Sequence, residues 1–205
     1  MPPAPPAGSI LDRHPVAPPI TITHERSITG ELAEELWGSY LANLEPLAEV
    51  AVLRHLDSHE EMLAQFANPR ILKLVAWQGA RAVGLGMVTN CLEDVAEISP
   101  SFLRVKYPDH AARNAIYVGM LVMVSPDQRS QTAFSRLYLE LWQVPARAGG
   151  ILVFDVCDFN RHVFGVDEMS RRIARNFPKS SVEVLDRQTW YIAHLPEPFP
   201  DERPR

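Results

Sequence analysis

The chain has 205 residues, 46% hydrophobic and 22% charged, the ordinary mix of one globular domain with extra segments. Its formal net charge is -5 and no segment gathers Lys and Arg into a stripe, which argues against a nucleic-acid partner. No apolar run approaches the roughly 20 residues that span a bilayer, so no membrane is expected. The start of the chain lacks a basic segment followed by an apolar core, the pattern of a secretory signal. Cys91 and Cys157 form neither a disulfide framework nor a metal site. The expected compartment is the cytoplasm.

Residues 1–19 are rich in proline and lack periodic apolar positions, which predicts a flexible arm. A folded domain is expected over residues 20–196 and a loose tail over 197–205. A short strand is predicted near Ile20 to Thr23. A helix follows from Glu31 to about Leu47, with Leu32, Leu36, Tyr40 and Leu44 on one face and Thr29 placed to cap it. Ser58 and Glu61 have capping-box spacing and start a second helix that stops before Pro69.

Ile71 to Trp77 and Arg81 to Thr89 read as a hairpin. Asn90 to Asn114 reads as a long loop with a helical turn, a segment length that often serves as a lid. The apolar run Ala115 to Val124 predicts a buried central strand. After Pro126, the spacing of Phe134, Leu137, Leu141 and Val144 predicts a helix that Pro145 ends. A strand is predicted at Ile151 to Val156, a helix around Asp167 to Asn176, and a terminal strand pair at Val182 to Leu185 and Trp190 to Leu195. The fold class is therefore α/β (α+β), a mixed sheet with helices on both faces.

The turn from Val124 to Phe134 links a buried strand to a helix. It leaves the first helical N–H groups unpaired at the positive end of the helix dipole, where a pyrophosphate can sit. Here the sequence resembles the GNAT superfamily of N-acyltransferases, whose segment reads V-x-P-x-x-R-x-x-G-x-G/A. Val124, Pro126 and Arg129 match it, while Thr132 and Phe134 stand at the small positions. The resemblance extends over roughly Ile20 to Leu195 through element order, and Asn160 lies where the family often contacts the pantetheine arm. It implies a mostly antiparallel sheet and acetyl-CoA or a longer acyl-CoA as donor. In that reading Arg129 pairs with phosphate, and the N–H groups of Ser130, Gln131, Thr132, Ala133 and Phe134 cradle it, with Gln128 in the same turn. Met123 and Val124 offer backbone groups to pantetheine.

The family's tyrosine acid lies between that Asn and a G-F pair; this chain has no tyrosine from Asn160 to Phe177, and Asn176-Phe177 stands for the pair. No carboxylate lies within Ala115 to Val124. Proton removal then falls to another base. His162, an imidazole that follows the strand end, is one candidate, though a surface histidine is the plainer reading. Tyr117 is a candidate acid or a core residue. Glu97, with Glu93 and Asp94, lies in the long loop and would attract a cationic amine, unless the loop is only solvated. A cysteine nucleophile at Cys157 is disfavoured, because a cysteine ending a buried strand is usually a small core residue. Asp155, Asp158, His162 and Asp167 match no metal-ligand spacing. The resemblance implies a small-molecule or peptide amine as acceptor. Two alternatives stand beside it: a silent binding or scaffolding module, for instance a homodimer, and a transferase whose donor is an acyl-carrier protein.

Overall fold

Two apolar runs joined by Gly79, which takes φ +63, form the hairpin at the centre of the sheet. The computed structural model describes residues 18–52, 56–126 and 131–194. Its five strands lie in sequence order: β1 (Ile20–Glu25), β2 (Ile71–Gln78), β3 (Arg81–Thr89), β4 (Ile116–Val124) and β5 (Ile151–Val153). The first three pairings are antiparallel and β4 with β5 is parallel, so the sheet is mixed and mostly antiparallel, as expected.

Helix α1 (Glu31–Ala48) and helix α2 (His59–Ala67) cover one face. Leu36 and Tyr40 of α1 and Met62 and Phe66 of α2 meet Ile71, Val75, Leu85, Met87 and Met123 there. The other face carries α5 (Gln131–Arg147), whose Ala133, Leu137 and Leu141 pack on Leu74, Ala76, Val83 and Val124. The period-2 alternation of the strands delivers these two sets to opposite faces.

Several elements differ from the sequence reading. The residue before α1 is Gly30 at φ 66, not Thr29; its carbonyl accepts from Ala33 N and Glu34 N, so the turn needs a glycine rather than a side-chain cap. Pro145 lies inside α5, where only its own missing N–H is lost in the final turn, and the helix continues to Arg147. The span 90–114 is not an open loop. It holds a 3-10 turn (Leu92–Asp94), α3 (Pro100–Lys106) and α4 (Pro108–Ala112), and both prolines open a helix, where no N–H is required. Leu92, Val95 and Leu103 seat this segment on Ile116 and Val118 of β4.

β5 ends at Val153 rather than Val156. It is followed by α6 (Asp158–Val163), which the sequence reading did not include, and by α7 (Val166–Ala174). The expected terminal strands are absent from residues 182–194, where Leu185 packs beside Ile151 and Val153 but no ladder forms. Leu195, most of the arm (residues 1–17) and the tail lie outside the described residues. The capping box at Ser58 is as expected: Glu61 N donates to Ser58 Oγ at 3.3 Å and Ser58 N donates to Glu61 Oε2 at 2.7 Å. Among the described residues no helix is long and apolar enough to cross a membrane.

Lys73 of β2 is fully buried under α2. Its Nζ donates to the carbonyls of Asn68 at 2.6 Å and Arg26 at 3.2 Å, joining the C-terminal end of α2 to the segment after β1. Burial, aided by the charge of Arg26, lowers its pKa from 10.5 to about 8. Between those values the unfolded chain holds a proton that the folded chain has released, so stability rises with pH there. Urea titrations should show the stability of the wild type relative to Lys73→Met increasing by up to about 1 kcal/mol per pH unit above pH 8.

α5 reaches the sheet where β3 lacks side chains. A Cβ on Gly84 would meet the Met123 carbonyl oxygen at 2.9 Å, Val124 Cγ1 at 3.0 Å and Leu137 Cδ2 at 3.3 Å, whereas a Cβ on Gly38 of α1 would meet nothing within 4 Å. Gly84→Ala is therefore expected to cost about 1–3 kcal/mol and Gly38→Ala to add about 1 kcal/mol, both read from chemical denaturation.

Candidate functional site

The ladder between β4 and β5 consists of Ile116 with Ile151, Tyr117 with Leu152, and Val118 with Val153. Beyond Val118 the strands part, and β4 continues to Val124 with β3 on one side and no strand on the other. Gly119 lies at the fork. Phe154, the first residue past β5, leaves the ladder, its Cβ lying 3.6 Å from where a Gly119 Cβ would be.

The direction of the β4 backbone follows from its register. Ser125 N donates to Val83 O at 2.9 Å, which makes this a hydrogen-bonded pair and Val124 with Gly84 a non-bonded one. Met123, opposite Leu85, therefore turns its N–H and C=O toward β3, as does Leu121 opposite Met87. Val122 and Val124 turn theirs toward the gap left by β5. The backbone reading of Met123 is thus corrected: Val122 shares the open edge with Val124. Sequence parity two residues before Val124 carried the signal. Upstream, Val88 pairs with Gly119 while Met87 pairs with Leu121, so Met120 is opposite no residue. This bulge at the mouth of the gap bends the strand, and no residue pattern marks it.

Val124 at the end of this edge precedes α5 in the chain. Gln128, Arg129 and Ser130 lie outside the described residues, and for Gln131 only the backbone is described. In the first turn of α5, Thr132 is exposed, Ala133 is buried against the sheet, and the Phe134 ring turns back onto Tyr138, with centroids 5.7 Å apart. An aromatic wall continues behind it. Tyr138 and Trp142 of α5 contact Phe154, and Phe177 stacks on Trp142 at 6.3 Å. Tyr138 Oη and Ser170 Oγ of α7 lie 2.8 Å apart in the interior, and burial raises the Tyr138 pKa. Trp142 Nε1 is buried near that oxygen but misses hydrogen-bond geometry with it, leaving the indole unpaired.

The other named residues are spread around this gap. His162 lies on α6, with an exposed side chain and Nε2 3.3 Å from Asp158 Oδ1. Asn160, half-buried, is on the same short helix, and its carbonyl accepts from Phe164 N. Tyr117 sits in the closed part of the ladder, its ring beside Gly150 and its body packed into the α5 face, roughly 23 Å along the strand from Val124. Glu97 is exposed between the 3-10 turn and α3.

The acids beside Glu97 are engaged. Glu93 pairs with Arg104, which lowers its carboxyl pKa, and the nearly buried Asp94 accepts from Arg70 at 2.5 Å and Asn68 at 3.3 Å. Cys157 precedes α6 as its half-buried cap residue. Asp167 pairs with Arg161 at 3.6 Å, and among the described residues no group of three or more His, Cys, Asp or Glu is placed to hold a metal.

No protein-family model and no curated protein matches this chain. Solved structures of acetyltransferases resemble it in fold at low identity. An aminoglycoside acetyltransferase from an uncultured soil metagenomic sample, in complex with sisomicin, is 12% identical, with a TM-score of 0.48 over 85% of this chain and 97% of that one. An aminoglycoside N-acetyltransferase in complex with CoA is 13% identical, with a TM-score of 0.49 over 85% and 98%. An acetyltransferase from Trypanosoma brucei is 17% identical, with a TM-score of 0.43 over 84% and 100%.

The backbone directions on β4 can be read by amide hydrogen exchange. The N–H groups of Leu121 and Met123, bonded to β3, should exchange at least about tenfold more slowly than those of Val122 and Val124. Equal protection at all four would contradict the open edge.

Proposed function

We infer that the protein is an N-acyltransferase that takes an acyl group from a phosphopantetheine thioester, such as acetyl-CoA or a longer acyl-CoA, and passes it to an amine. The observation that carries this reading is the gap between β4 and β5. One extended edge offers Val122 and Val124 backbone groups to an amide-bearing chain, and the next helix in the chain is α5, whose N-terminal end is the kind of position that suits phosphate. Pantetheine is such a chain, with amide groups to pair along the edge and phosphate at its far end.

The reaction this supports is direct. The amine nitrogen attacks the thioester carbonyl, the N–C bond forms as the C–S bond breaks, and the thiolate takes up a proton. Backbone N–H groups at the bulge would polarise the carbonyl. We assign His162, held by Asp158, as the base that accepts the amine proton through water, and Asn160 as a pantetheine contact on the same helix. Tyr117, inside the closed ladder, fits a packing role better than an acid's. Glu97 is assigned to drawing in the acceptor.

A cationic acceptor suits the face formed by α1 and α2. From Glu31 to Phe66, Arg54 is the one Lys or Arg against a succession of Glu and Asp. Such a field concentrates amines near the gap.

Calorimetric titration with acetyl-CoA and with longer acyl-CoAs tests the donor. Binding to at least one is expected, weakened about tenfold or more by Arg129→Ala, as expected for a lost charge-assisted phosphate contact. Binding to none would remove the CoA reading. With a donor and an amine in hand, His162→Asn should lower kcat and leave donor affinity unchanged. The lack of a carboxylate on β4 favours a second reading, a binding protein without turnover, which would bind donor and release no free thiol with any amine.

A further inference from the structure

We propose that the outer surface of α7 and the residues just after it form a docking face for an acidic carrier protein that delivers the acyl group on its phosphopantetheine arm. The proposal rests on the donor reading above and names who presents the donor. Arg171, Arg172, Arg175 and Lys179 are all exposed, and none of their side chains has a hydrogen bond or ion pair with any described residue. The acids on α7 are Asp167, already held by Arg161 at 3.6 Å, and Glu168, so positive charge is in excess along this helix on a chain whose net charge is -5. A local reversal of sign on an acidic protein selects for an anionic partner and repels a second copy less than the rest of the surface does.

The face is fixed relative to the donor gap. Ser170 bonds to Tyr138, and Phe177 stacks on Trp142. The α7 segment therefore runs in the same direction as α5 and leads away from the turn that would hold phosphate. At the level of Trp142 the cations are roughly 16 Å beyond the start of α5. The phosphates of a single nucleotide cannot reach along that whole row, whereas a folded protein whose phosphopantetheine enters the gap would lie across it. The first turn of α5 agrees. Thr132 and Phe134 stand where small residues would admit a pyrophosphate closely, and a carrier-bound arm presents a single phosphodiester instead.

The test compares two donors on the full chain: a purified acidic acyl carrier protein bearing an acetyl-phosphopantetheine arm, and acetyl-CoA. Binding is measured by calorimetry at low and at moderate salt. The expected result is carrier binding that falls with salt and is weakened about tenfold or more by the pair Arg172→Glu and Arg175→Glu, with acetyl-CoA affinity within about twofold of wild type. The milder pair Arg175→Ala and Lys179→Ala should act in the same direction, which guards against misfolding of the charge reversal. Carrier binding that ignores both pairs, or acetyl-CoA binding with none to the carrier, would overturn the docking face and leave the transferase reading intact. Failure of both donors would overturn the two together.

Discussion

Every backbone N–H and C=O in a sheet needs a partner, and β4, an interior strand by its place in the order, lacks a strand partner on one side along most of its length. It pairs with β5 from Ile116 to Val118 and with β3 from Val118 to Val124, so the two ladders overlap at Val118 and from Gly119 onward β3 alone accompanies it. The divergence has a local cause. Phe154 leaves β5 to join Tyr138 and Trp142 on α5, so the chain after β5 follows an aromatic cluster rather than its neighbouring strand. The apolar gain of that cluster holds the strands apart, and a binding edge is the by-product of a packing preference.

The helices on the two faces depend on the same sheet in different ways. α5 comes close because Gly84 and Gly86 of β3 present no side chains, and Leu137 lies over both. On the far face, α1 and α2 reach the sheet through large side chains, and Lys73 of β2 ties the C-terminal end of α2 to it. One face is thus a tight backbone-to-helix contact that carries the gap. The other is an acidic layer over the same strand. Opposite charge on α1–α2 and on α7 gives the molecule an electrical polarity.

Much of this was legible in the sequence. The hairpin, the central strand and α5 have strong periodicity. What failed has physical reasons. Pro100 and Pro108 read as loop markers, yet at the first position of a helix proline gives up nothing. Val182 and Trp190 have strand-forming neighbours, but strand formation depends on an available edge, and β5 offers only three residues. Thr29 has a capping side chain, and Gly30 won because the chain there needs a positive φ. At the site, the reading of Met123 failed by one residue because facing direction depends on pairing, which composition does not carry. The α6 helix and the Tyr138–Ser170 contact depend on tertiary packing and left no pattern.

The bulge at Met120 has a consequence for how this strand tolerates change in length. Tyr117 and Gly119 point to the α5 side before it, and Leu121 and Met123 point to the α1 side after it, so alternation across the strand is kept only if Met120 is skipped. Loss of one residue at the bulge would therefore preserve the inside and outside of the whole strand, whereas loss of a residue before it such as Val118 would turn Gly119 to the other face. Met120 is the position at which the chain could shorten by one without exchanging its two cores, at the cost of straightening the mouth of the gap. Along β4, the shape of the opening and the partition of the interior are encoded separately.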